Sequence, residues 1–173
     1  SKGIDVGGLH EEHPFIQRKI KIESGGDPRR TKGSYRGLGQ FGPSEEAKYG
    51  ITDKNWLDPK VQKKALVALA KDNHTEFTRL TGRSPTYGEL YMAHQQGPGG
   101  VAAHIKNPDQ AAWKSMYNTA EGRRRGETWA KLAVIGNIPD NHPLKKKETD
   151  KITSREFMQI YLDKFKDIED PRL

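Results

Sequence analysis

The chain has 173 residues, 32% hydrophobic and 31% charged, which supports one ordinary domain with a compact core and a strongly solvated surface. Lys and Arg number 30 against 23 Asp and Glu, and the net charge of +7 attracts polyanions such as nucleic acid, anionic lipid or bacterial cell wall. The absence of cysteine excludes a disulfide framework, a Cys-rich zinc site and a thiol nucleophile. No stretch approaches the ~18 consecutive apolar residues of a bilayer span.

Ser1 to Leu9 reads as a lead-in, and Ser1-Lys2-Gly3 shows no signal peptide. From His10 the pattern is helical, with Phe15, Ile16 and Ile20 on one face and Arg18 and Lys21 outside. Gly25 and Gly26 end that helix and Pro28 blocks its continuation, so Glu23 sits where the helix stops. Asp27 to Pro43 is rich in turn residues and holds at most a small hairpin. Ser44, with Glu45 and Glu46 behind it, starts a short helix that closes near Gly50. Asp58-Pro59 opens a long core helix whose stripe is Val61, Ala65, Ala68, Leu69, Phe77 and Leu80, ending at Gly82.

Thr86-Tyr87-Gly88-Glu89 has capping-box spacing ahead of Leu90, Tyr91 and Ala93, and that helix must stop at Gly97-Pro98-Gly99-Gly100. Asn107-Pro108 starts another, carrying Ala111, Ala112, Trp113, Met116 and Tyr117. Trp129, Leu132 and Ile135 mark a shorter one before Gly136. Residues 139–151 form a basic, proline-containing loop. Thr153-Ser154-Arg155-Glu156 is a second capping box, ahead of a stripe of Phe157, Ile160, Tyr161, Phe165 and Ile168 ended by Pro171. The runs Arg123-Arg124-Arg125 and Lys145-Lys146-Lys147 read as solvated loop. No internal repeat or second boundary is evident, so a single, mainly α domain over residues 1–173 is expected, with at most a small β-hairpin.

Three motifs follow one another: Glu23-Ser24-Gly25-Gly26-Asp27-Pro28, Gly37-Leu38-Gly39-Gln40, and Ala93-His94-Gln95-Gln96-Gly97-Pro98-Gly99. Each is weak alone, since Glu-Ser-Gly-Gly is a common helix end and Gly-Pro-Gly-Gly a common turn. In this order and separation they resemble the lytic transglycosylases and their relatives, the goose-type lysozymes. The family pattern is Glu-Ser, then Gly-Leu-Met-Gln, then Ala-Tyr-Asn-Ala-Gly-Pro-Gly. The match covers Phe15 to Val101. Gly39 stands where the family has methionine, His94 where it has tyrosine and Gln95 where it has asparagine.

The resemblance implies a lysozyme-like α+β arrangement and cleavage of peptidoglycan glycan strands between N-acetylmuramic acid and N-acetylglucosamine. It implies Glu23 as sole general acid and base, giving 1,6-anhydro ends, with no cofactor and no metal. Ser34, Gly37, Leu38, Gln40, Phe41, His94, Gln95 and Gln96 become substrate-binding candidates. The acid must hold a proton before cleavage, and Ile20 and Ile22, with Phe41 closing over, are expected to keep water from it. A free-standing basic domain of this kind is expected to act as a monomer in the periplasm or at the wall, as a bacteriophage lysin or virion component.

Most glycosidases add a second carboxylate. Asp27 is nearest in sequence, Glu45 and Glu46 read as first-turn surface residues, and Glu89 is committed to its capping box. A water-adding muramidase therefore stays open as the alternative, together with a peptidoglycan endopeptidase. The endopeptidase is weakened by the lack of cysteine and of a Gly-x-Ser-x-Gly elbow. His10-Glu11-Glu12-His13 spaces its histidines i, i+3, where the zinc motif needs i, i+4. His74, His94, His104 and His142 are scattered. A non-enzymatic wall or nucleic-acid binder is the remaining rival, but the aromatics lie on apolar faces away from the arginines and no sequence-specific nucleic-acid motif is present.

Overall fold

A computed structural model describes residues 8–168, which pack as two compact units, 8–72 and 73–168. Among the described residues the chain is mainly helical, with one two-stranded antiparallel sheet.

In the first unit, helix α1 spans Pro14–Ser24. It begins at Pro14 and not at His10, because the His13 imidazole accepts the Phe15 N–H at 3.1 Å and proline occupies the first helical position. Phe15, Ile16 and Ile20 are buried, as their spacing predicts. Gly25, at φ +63°, closes the helix by donating its N–H to the Lys21 carbonyl at 3.0 Å. Strands β1, Thr31–Lys32, and β2, Tyr35–Arg36, form the hairpin, with Thr31 opposite Arg36 and Lys32 opposite Tyr35. Helix α2, Pro43–Lys48, takes Gly42 as its cap in place of Ser44, again because proline sits at the first turn. Helix α3, Pro59–Thr81, starts where Asp58 Oδ1 accepts the Lys60 N–H at 2.9 Å. Its residues 59–72 complete the unit, burying Gln62, Ala65, Leu66, Leu69 and Ala70.

The second unit takes residues 73–81 of α3, where Phe77 is buried but Leu80 is 41% exposed and off the expected stripe. Helix α4, Tyr87–Lys106, opens on the expected capping box: Glu89 N–H to Thr86 Oγ1 at 3.2 Å, Thr86 N–H to Glu89 Oε1 at 2.9 Å. Glu89 is also held by Arg83 in two bonds of 2.9 and 2.7 Å. At Gly97 the backbone leaves the helix (φ +75°, ψ +153°), as expected. The helix then resumes at once and runs to Lys106, because Pro98 is tolerated in a new first turn.

Helix α5 is Ala112–Tyr117, four residues later than Asn107-Pro108 suggests. The intervening backbone is taken by the strand-like segment before the last helix: Ala112 N–H bonds Ile152 O, Ser154 N–H bonds Gln110 O and Arg155 N–H bonds Pro108 O. Arg123-Arg124-Arg125 is solvated but not loop. These residues form the last turn of α6, Ala120–Arg125, which is capped by Thr119 and oriented so that its C-terminal dipole favours cations. Helix α7, Glu127–Ile135, buries Ala130 and Val134 and leaves Leu132 62% exposed, so its inner face is turned from the expected one. The basic loop holds two 3₁₀ turns, Pro143–Lys146 and Thr149–Lys151, and Lys145 caps the end of α7 by donating to Ile135 O at 2.8 Å and Ile138 O at 3.1 Å.

Helix α8, Ser154–Phe165, follows its expected capping box and buries Phe157, Ile160, Tyr161 and Phe165. Pro171 lies outside the described residues. Tyr91 of α4 meets Tyr161 and Phe165 of α8 with ring centroids 5.8 and 5.2 Å apart, so both tyrosines belong to the core. Below them His104 Nδ1 lies 2.7 Å from Ser154 Oγ, which lies 2.7 Å from Ser115 Oγ, tying α4, α5 and α8 together. The α4 and α8 backbones approach closely at Gly88, where an added Cβ would stand 2.7 Å from Leu162 Cα. Gly88→Ala is therefore expected to destabilise by about 1–3 kcal/mol through overpacking. Urea unfolding measures it, and an unchanged midpoint would contradict this close contact.

Candidate active site

Glu23 occupies the last turn of α1, half-buried, with Ser24 beneath it. Ser24 is buried, donates its hydroxyl to Ile20 O at 3.0 Å and accepts the Gly26 N–H at 3.3 Å, so the helix end is tied to the turn that follows. Of the residues expected to surround Glu23, Ile20 and Phe41 are buried and Ile22 is half-buried. A carboxylate at this point opposes the helix dipole.

The Gly37–Gln40 turn is built from within the same unit. Gly37 adopts φ +84°, and a side chain there would collide with Gln62 Oε1. Gly39 lies against Leu66, whose Cδ2 would be 2.6 Å from any Cβ, so the position has no room for the family's methionine. Gln40 takes φ +51°, unusual for a residue with a side chain, and its Nε2 donates to Arg30 O at 3.0 Å and Gly37 O at 2.9 Å. That amide nitrogen therefore staples the turn, while its buried Oε1 accepts no hydrogen bond among the described residues. Leu38 and Phe41 are core residues and shape the turn from inside; Ser34 is exposed at the tip of the hairpin.

Residues that sequence patterns passed over hold this arrangement. Gln62 of α3 is buried. It accepts the Leu38 N–H and donates to Pro28 O at 3.2 Å and to Trp56 O. Arg36 grips Glu46 with bonds of 2.7 and 3.0 Å and Asp53 with one of 2.8 Å, its guanidinium 4.7 Å from the Trp56 ring centroid. Glu46 is thus a buried structural anion, contrary to its reading as a surface residue. Lys19 is the largest surprise: it is fully buried in α1, four residues before Glu23. Two signals were available in the chain, a lysine at i+4 from Phe15 inside an apolar stripe and a glutamine one turn before Leu66.

The other carboxylates are placed as follows. Asp27 is exposed and turned to its own loop, accepting the Arg29 N–H at 2.9 Å. Glu45 is half-buried; its Oε1 accepts the Gly42 N–H at 3.2 Å, and its charge, like that of Glu23, acts on Lys19.

His94, Gln95 and Gln96 belong to the second unit, in the last turn of α4 before the break at Gly97. His94 and Gln95 are half-buried. Gln96 is buried and its Nε2 donates to Ala133 O at 2.9 Å, linking α4 to α7. Among the described residues no three of His, Cys, Asp and Glu come together as a metal-binding group. No helix there is long and apolar enough to cross a membrane. Comparison with protein-family models and with curated proteins finds no match. The likeness to the lytic transglycosylases therefore rests on the residues of the three motifs.

Proposed function

We propose that the chain cleaves peptidoglycan between N-acetylmuramic acid and N-acetylglucosamine as a lytic transglycosylase, with Glu23 as the acid and then the base. The observation that carries this reading is Glu23 itself, a half-buried carboxylate kept at the unfavourable end of α1, in the same unit as a glycine-rich turn of unusual backbone geometry. In the reaction the Glu23 carboxyl protonates the glycosidic oxygen and the bond to C1 breaks. The resulting carboxylate takes the proton of the muramyl 6-hydroxyl, whose oxygen closes on C1. The proton returns to Glu23 and no water is consumed.

A water-adding muramidase is the second reading, and Glu45 is the observation that favours it. Expected to be a surface residue, it is half-buried and acts, with Glu23, on one buried lysine. Mass spectrometry of muropeptides released from purified sacculi separates the two. Anhydro ends support the transglycosylase, reducing ends the muramidase, and cut peptides with intact glycan would refute both.

The basic surface fits such a substrate, because peptidoglycan peptides present free carboxylates to a chain of net charge +7. Wall binding is accordingly expected to weaken steeply between low salt and several tenths molar salt, as a Debye length shrinking below ~8 Å screens the field. Co-sedimentation with sacculi checks this, and salt-independent binding would count against a charge-driven attachment.

A further inference from the structure

The two residues of β2 face opposite ways. Arg36 exchanges backbone hydrogen bonds of 3.2 and 3.1 Å with Phe41, so their side chains share the inner face, where Phe41 is buried and Arg36 reaches Glu46. Tyr35, one residue earlier, turns to the outer face and is 52% exposed. Across the ladder it is flanked by Gly42, which has no side chain: a Cβ added there would stand 3.2 Å from Tyr35 Cε1, so one edge of the ring leans over the glycine. On its other flank is its register partner Lys32, with Cβ atoms about 5 Å apart and on the same face. Lys32 is exposed and forms no ion pair with a described residue, whereas Arg29 pairs with Asp27 and Arg36 with Glu46 and Asp53. This hairpin follows directly on the helix end that carries Glu23. Asp27 N–H bonds Ser24 O at 3.2 Å and Arg30 N–H bonds Asp27 O at 3.2 Å, while Arg30 O accepts the Gly37 N–H at 2.8 Å and Gln40 Nε2 at 3.0 Å. Helix end, hairpin and glycine-rich turn are thereby one hydrogen-bonded assembly.

We propose that Tyr35 and Lys32 form a subsite for an N-acetylmuramyl peptide unit of the glycan strand, the phenol ring stacking on the sugar and the ammonium taking a carboxylate of the attached peptide. The assignment rests on the reading of the chain as a glycan-cleaving enzyme. A pyranose presents axial C–H groups on its faces and hydroxyls at its rim, so an exposed aromatic ring covers the apolar face and leaves the rim in water. A tyrosine offers that area with few rotatable bonds to freeze. A single-stranded nucleic acid asks instead for several aromatics on which successive bases stack. Among the described residues of the first unit no other Phe, Trp or Tyr is as exposed as Tyr35, so one ring and one cation suit one sugar with its anionic substituent.

The test is calorimetric binding to the full chain carrying Glu23→Gln, so that strands are not consumed. Two probes are used: soluble uncross-linked glycan strands bearing their peptides, and the same strands with their carboxyl groups converted to amides. Tyr35→Ala is expected to weaken both about tenfold, and Tyr35→Trp to restore them. Lys32→Gln should weaken only the unmodified strands, by roughly two- to fivefold, and Lys32→Arg should restore them. Affinity unchanged by Tyr35→Ala, in a protein that keeps its urea midpoint, overturns the subsite, as does a parent that binds neither probe. Equal losses on both probes in Lys32→Gln overturn the carboxylate contact. Cleavage is read separately, from muropeptide release by the wild type. Binding that depends on Tyr35 without any glycan cleavage would refute the functional reading and leave the subsite standing.

Discussion

Glu23→Gln is expected to lower the release of muropeptides from sacculi by about 10²- to 10⁴-fold, the range set by losing a general acid that also serves as base. The amide matches the carboxyl group in size and can still accept and donate hydrogen bonds, but it supplies no proton to the leaving oxygen. Stability should barely change. Removing a negative charge from the last turn of α1 relieves about 0.3–1 kcal/mol of unfavourable dipole interaction. Against that, the buried Lys19 loses one of its two counter-charges, so the effects oppose each other. Paired urea unfolding and muropeptide mass spectrometry separate the outcomes. Loss of cleavage in a protein that unfolds at the wild-type midpoint supports Glu23 as the acid. Retained cleavage would remove it from the mechanism and with it the transglycosylase reading.

The second large effect concerns acid. His104 is wholly buried, and burial pushes its imidazole down to about 4 from an ordinary 6.5. The geometry explains the resistance to protonation. Ser115 donates to Gln110 Oε1, so Ser154 donates to Ser115 and His104 Nδ1–H donates to Ser154. Nε2 then carries a lone pair with no partner among the described residues, and a proton added there would be a buried charge without an acceptor. The unfolded chain takes up this proton near 6.5 and the folded one only near 4. Stability therefore falls as pH drops through that window, by about 3 kcal/mol in full, and is unaffected above it.

Other groups can be told apart from His104. Burial works to raise Glu89, but the Arg83 guanidinium and the Thr86 N–H outweigh it and hold it below its ordinary 4.5; its contribution is lost only below that pH. His13 is also lowered, by burial and by His10, but it is half-exposed and common to both proteins compared. Urea unfolding of the wild type and His104→Leu across the window isolates the difference. Between pH 6.5 and 4 the wild type should lose about 3 kcal/mol more stability than the variant, and parallel curves would dismiss His104 as the cause.

Local signals carried the helix starts and stops well, because caps and breakers act within four residues of themselves. Thr86 with Glu89, Thr153 with Glu156, Asp58-Pro59, Gly25 and Gly82 all do what their chemistry dictates, and the mainly helical class with one small hairpin follows from them. The same locality made Glu23, at a helix end before two glycines, stand out without any coordinates. Which polar residues point inward could not be read so well. Lys19, Gln62 and Glu46 look like surface residues by type. Their burial depends on Phe15 beside Lys19, on the turn carbonyls and amides that Gln62 serves, and on Arg36 reaching Glu46 from ten residues away.

Tertiary pairing likewise overrode a good local start at Asn107-Pro108, because backbone groups there are bonded to residues 152–155, forty or more positions on. It also turned the inner face of α7 from Leu132 to Ala130 and Val134. By itself, then, the sequence determined the helical class, most of the caps and breakers and the candidate acid, all of which depend on interactions spanning a turn or two of chain. Only the tertiary structure decided which charges are buried and what neutralises them. Desolvation and partner geometry are properties of distant segments brought together, and no spacing within α1 records that Lys19 would share the fields of Glu23 and Glu45.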